Sequence, residues 1–117
     1  ENGLFGTEEI EEIKPAIEAA KAEGINAIGP IPPDSVFSEA LGGWYDIVVC
    51  MYHDQGQIAL KLIGFEGGIT VAGGFPIPIV TCGHGTAYDI AGKGVVTTAS
   101  FVNAVKQCAT MAAVAAK

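Results

Sequence analysis

The spacing of apolar residues changes several times along the chain, and each change predicts an element. Behind Thr7, whose hydroxyl suits a helix N-cap, Ile10, Ile13 and Ile17 recur with Ala16 and Ala20 at helical intervals. Pro15 removes one N–H from this helix, so it either kinks it or marks a new start, and Gly24 suits its end. Residues 25–28 then read as a short strand, and residues 29–34 as irregular, because Pro30, Pro32 and Pro33 fit neither a ladder nor a helix interior. Residues 35–40 read as a short helix closed by Gly42 and Gly43. Residues 46–51 read as a strand: Ile47, Val48, Val49 and Cys50 form a continuous apolar run, as in a parallel sheet covered on both faces. A helix is predicted over 55–62, and strands over 69–72 and 77–81, separated by Gly73-Gly74-Phe75-Pro76. A glycine-rich segment, 84–94, follows the second of these. Thr97 or Thr98 then caps a last helix with a stripe through Phe101, Val105, Cys108 and Ala112. Alternating helices and apolar strands predict an α/β fold, with residues 1–117 as a single domain.

Composition narrows what such a domain does. Half of the 117 residues are hydrophobic, enough for a core. Thirteen acids against 6 bases give a formal charge of −7, which argues against nucleic acid and against an anionic membrane surface. Glu8, Glu9, Glu11, Glu12, Glu18 and Glu23 lie together and predict a solvated helix face. Cys50, Cys82 and Cys108 are odd in number and lack CxxC spacing, so they read as buried thiols in a reducing compartment. There is no signal-peptide pattern and no apolar run near the ~20 residues that span a bilayer, so a soluble cytoplasmic protein is expected. The chain opens in what reads as the middle of a loop, which suggests a fragment of a longer protein.

Candidate chemistry gathers in two polar segments, each following an apolar run. In Tyr52-His53-Asp54-Gln55-Gly56, His53 offers a neutral imidazole to a divalent metal, and Asp54 either orients that ring or caps the next helix. A loop histidine is also often simply exposed. Lys61 lies eight residues after His53, just over two helical turns. It either contacts a substrate anion and moves protons, or is a solvated helix charge. The second segment is His84-Gly85-Thr86-Ala87-Tyr88-Asp89-Ile90-Ala91-Gly92-Lys93-Gly94. Its glycines let a backbone approach a bulky ligand, Thr86 can donate to a phosphate, and Asp89 can accept from a ribose or adenine group. The spacing is neither GxGxxG nor a Walker loop, and a plain strand-to-helix connection is the alternative.

Gly3-Leu4-Phe5-Gly6 with Glu8-Glu9, Met51-Tyr52-His53-Asp54-Gln55-Gly56, and His84-Gly85-Thr86-Ala87 with Asp89 and Gly92 together resemble the 4-hydroxythreonine-4-phosphate dehydrogenase family. The resemblance covers nearly the whole chain. It implies part of an isocitrate/isopropylmalate dehydrogenase-like three-layer fold, a C-terminal portion of a longer chain, and a homodimer. It also implies NAD or NADP, a divalent metal (Zn, Mg or Co) and a hydroxy-acid phosphate substrate. The substrate hydroxyl is oxidised and carbon dioxide is then lost. On this resemblance His53 is one of three metal histidines, the other two lying upstream of residue 1, so the 117 residues alone are expected to be inactive. Gly83, His84, Gly85, Thr86, Asp89 and Gly92 fall in the cofactor loop. Lys61 and Asp54 take catalytic positions, and Lys61 also matches a substrate-binding lysine.

Two substrate positions depart from the family pattern: Thr70 stands where the family has asparagine, and Ile79 where it has arginine. Losing a charge-assisted hydrogen bond costs on the order of 1.5–3 kcal/mol, which brings the usual substrate into question. Two other readings remain: a paralogue acting on a different hydroxy acid or diol, and a nucleotide-binding module without catalysis.

Overall fold

A computed structural model describes residues 2–115. The chain divides into two compact units, one ending at Cys50 and one beginning at Met51.

In the first unit a π-helical turn, Glu9–Ile13, runs directly into helix α1, Lys14–Ala22. Pro15 lies in the first turn of α1, where its missing N–H costs nothing, so it marks a start rather than a kink. The Thr7 carbonyl accepts from the N–H groups of Ile10 and Glu11, both at 2.9 Å. Its hydroxyl donates instead to the Glu11 carboxylate, so the expected side-chain cap does not form. Ile13, Ile17 and Ala20 are the half-covered face; Ile10 and Ala16 are exposed.

Gly24, at φ 85°, closes α1: its N–H meets the Lys21 carbonyl, and the Ile25 N–H meets that of Ala20. Gly43 closes helix α2, Val36–Leu41, through the same pair of bonds to Ala40 and Glu39. The strands expected over 25–28 and 46–51 do not form ladders among the described residues. Ala27 N–H bonds the Ile25 carbonyl at 2.8 Å, a local turn that uses groups a ladder would need. Ile47 and Val49 are exposed, so the apolar run 47–50 is not covered on both faces.

The second unit contains helix α3, His53–Gly64, strand β1, Ile69–Ala72, strand β2, Ile79–Cys82, and helix α4, Ala99–Ala115. β1 and β2 form an antiparallel hairpin, in register Ile69↔Cys82, Thr70↔Thr81, Val71↔Val80 and Ala72↔Ile79; the parallel sheet expected around the run 46–51 is not formed among the described residues. β2 begins two residues later than predicted because Pro76 and Pro78 have no N–H to give a ladder. α4 packs on both strands. Its covered residues are Ser100, Ala104, Cys108 and Met111, whereas Phe101, Val105 and Ala112 of the predicted stripe are exposed. Small side chains let the helix lie close to the hairpin. The core is thin, and all three cysteines are half-buried free thiols rather than buried ones.

Candidate functional site

Every candidate site residue lies in the second unit. α3 supplies three of them. It begins two residues earlier than the apolar pattern predicts, because the Gln55 side-chain carbonyl reaches back to the N–H groups of Met51 (3.1 Å) and Tyr52 (3.3 Å). Those donors precede the helix, and satisfying them from N3 is half of a capping box. His53 is therefore the first helical residue rather than a loop residue. Asp54 follows it inside the first turn and does not cap; its charge there favours the positive end of the helix. Lys61 lies in the last turn of the same helix. His53, Asp54 and Lys61 are all exposed.

The hairpin brings two more candidates to one face. Side chains alternate along a strand, and opposed residues share a side. Thr70 is opposite Thr81, and Ile79 lies two residues from Thr81 on β2, so Thr70, Thr81 and Ile79 line one face and are exposed. The other face, with Ile69, Val80 and Cys82, is the more covered one.

The glycine-rich loop leaves β2 at Gly83. Its N–H is shared between the Gly68 carbonyl (3.0 Å) and the Ser100 hydroxyl (3.1 Å). A Cβ on Gly83 would lie 2.7 Å from the Gly68 oxygen, so only glycine fits this crossing. Gly83 thus anchors the loop, with its donor already engaged. At Gly85 and Gly92 an added Cβ would meet nothing within 4 Å, so the backbone there is open. Nδ1 of His84 lies 2.9 Å from the Gly85 carbonyl. A carbonyl only accepts, so Nδ1 is the donor in this contact. Thr86 is exposed, Ala87 adopts a left-handed conformation (φ 51°), and Asp89 lies in a single 3₁₀ turn, Tyr88–Ile90. The loop therefore offers exposed polar groups and open backbone, which suits a ligand laid along it.

Among the described residues no group of three or more His, Cys, Asp or Glu side chains could hold a metal ion. His53 provides one donor, short of the three or four a bound divalent cation ordinarily takes from protein. These residues do not by themselves make a metal site. In the first unit the Tyr45 hydroxyl donates to the Glu39 carboxylate at 2.7 Å, which holds the phenol's pKa above its ordinary value.

The family model described as pyridoxal phosphate biosynthetic protein PdxA matches residues 1–108, a span holding every residue named above as a candidate. The chain belongs to the PdxA family. A D-threonate 4-phosphate dehydrogenase of Pectobacterium atrosepticum is 54% identical over 94 residues, covering 80% of this chain and 29% of that protein. A 4-hydroxythreonine-4-phosphate dehydrogenase of Geobacter metallireducens is 51% identical over 114 residues, covering 97% of this chain and 34% of that protein. The crystal structure of 4-hydroxythreonine-4-phosphate dehydrogenase from Klebsiella pneumoniae superposes with a TM-score of 0.80 at 45% identity, over 95% of this chain and 34% of that one. The chain thus spans about a third of the length of these PdxA relatives.

Ser100 escaped the sequence reading. It precedes the apolar stripe predicted for α4 and looks there like an ordinary first-turn serine. The signal that points to it is the Gly67-Gly68 pair, a bare backbone with carbonyls to satisfy. Asn103 donates to the Gly67 carbonyl (3.1 Å), one turn further along α4.

Proposed function

We propose that this chain is the C-terminal portion of a cytoplasmic, homodimeric, metal-dependent NAD(P) oxidoreductase of the 4-hydroxythreonine-4-phosphate dehydrogenase type. Its three-layer fold would be that of the isocitrate and isopropylmalate dehydrogenases. The observation that carries this reading is the PdxA match over residues 1–108, which takes in α3, the hairpin and the loop together. In this reading the dinucleotide lies along His84, Gly85, Thr86, Asp89 and Gly92. Thr86 donates to a phosphate, Asp89 accepts from a ribose hydroxyl, and the open backbone at Gly85 and Gly92 permits close approach. Gly83 holds the start of this loop. Lys61 binds the substrate's anionic group or relays a proton, and Asp54 is the neighbouring carboxylate. Thr70 and Ile79 form the substrate-facing side of the hairpin. His53 contributes one ligand to the divalent metal, with the remaining donors outside this chain. When bound, the dinucleotide supplies a hydride acceptor and the metal polarises the substrate hydroxyl.

His53→Ala in the intact protein tests the reading. Both metal content and nicotinamide reduction are expected to fall, and undiminished values in the variant would reject it. A second reading is favoured by the name of the Pectobacterium relative: a paralogue whose hydroxy acid is D-threonate 4-phosphate. A higher kcat/KM for that compound than for 4-hydroxythreonine 4-phosphate would select it. Dinucleotide binding without turnover of either would instead indicate a non-catalytic module.

A further inference from the structure

Ser100 is 2% exposed and is the one buried polar residue among those described. Its hydroxyl accepts from the Gly83 N–H at 3.1 Å and donates to the Gly68 carbonyl at 2.5 Å. Gly83 N–H also reaches that carbonyl, at 3.0 Å. One hydroxyl on α4 therefore ties the end of β2 to the turn that leads into β1. The point is geometrically stiff, because a Cβ on Gly83 would come within 2.9 Å of both the oxygen and the carbon of the Gly68 peptide. The next residue is His84, where the open loop begins.

We propose that Ser100 is a positioning residue for dinucleotide binding: its hydroxyl fixes the direction in which residues 84–92 leave β2. The proposal rests on the reading of that loop as the cofactor cradle. Ser100 touches no ligand itself; it acts through Gly83. A site holds its ligand only as well as the groups behind it are held, and a misplacement near 1 Å is enough to matter. Once the hydroxyl is gone, the Gly83 N–H keeps one partner but no longer has a fixed line to α4.

The test is the dissociation constant for NAD and NADP in the intact protein, measured by titration well below each variant's unfolding midpoint. Ser100→Ala is expected to weaken binding about tenfold or more. Asn103→Ala is the comparison: it removes the neighbouring tether, to Gly67, and is expected to leave affinity unchanged. Ser100→Cys keeps the branching with a slightly larger atom and weakens both bonds. It is expected to show a smaller loss in the same direction, and it decides the matter if the alanine variant does not fold. Wild-type affinity in the folded Ser100 variants overturns the positioning role while leaving the cofactor reading intact. So does an equal loss in Asn103→Ala, which would mark a general loosening of α4. Failure of the unaltered protein to bind either dinucleotide defeats the loop reading, and this proposal with it.

Discussion

Gly83 shows how much can rest on a missing side chain. Its neighbours on the facing segment are backbone atoms, which cannot rotate away as a side chain would. Gly83→Ala must therefore separate β2 from the Gly68 turn, and overpacking of this kind costs about 1–3 kcal/mol. A lower thermal midpoint of the intact protein is the expected outcome; an unchanged midpoint would show that the crossing is looser than described. The sequence shows glycine at 83, 85 and 92 alike. What separates the packed one from the two open ones is the path of residues 67–68, more than a dozen positions away. His53 carries a similar lesson. Its presence and its neighbours were legible, but its place inside the helix depended on Gln55 turning back to cap the chain. Polarity alone made that segment look like a loop.

Among the elements, α4 separates apolar from buried. The apolar residues Phe101, Val105 and Cys108 fall at helical spacing, yet the helix lays Ser100, Ala104, Cys108 and Met111 against the hairpin. Close approach to a flat hairpin favours small residues, and the Ser100 and Asn103 bonds to Gly68 and Gly67 fix the rotation of the helix. Ala104→Leu is thus expected to destabilise the intact protein by about 1–3 kcal/mol, and by more than Phe101→Ala. Urea midpoints would check the order, and the reverse order would mean that α4 is turned the other way. The helix ends needed no such help. Gly24 and Gly43 stop α1 and α2 where the sequence placed them, because a left-handed residue after the last turn is a local requirement.

At the scale of the molecule, large apolar side chains stand exposed in both units. Trp44, Ile47, Leu62 and Tyr88 are each more than three-quarters exposed. So much uncovered apolar surface is unusual for a chain that stands alone. The 117 residues on their own are expected to bind a hydrophobic dye such as ANS strongly and to reduce no nicotinamide with either phosphorylated hydroxy acid. Turnover by the isolated chain would overturn the proposal that further metal ligands lie outside it. No helix among the described residues is long and apolar enough to cross a membrane.

By itself the sequence determined what neighbouring residues decide among themselves: the helix stops, two short strands on either side of a glycine-proline break, the glycine-rich segment after them, and the tandem motifs that point to the family. Only the tertiary structure decided the rest. It showed Thr70 and Ile79 on one face, Ser100 beneath the loop, and the runs at 25–28 and 46–51 without ladder partners. The physical reason is that a hydrogen-bonding ladder, a register and a buried tether each need backbone groups from distant positions, and local spacing carries no record of which distant group arrives.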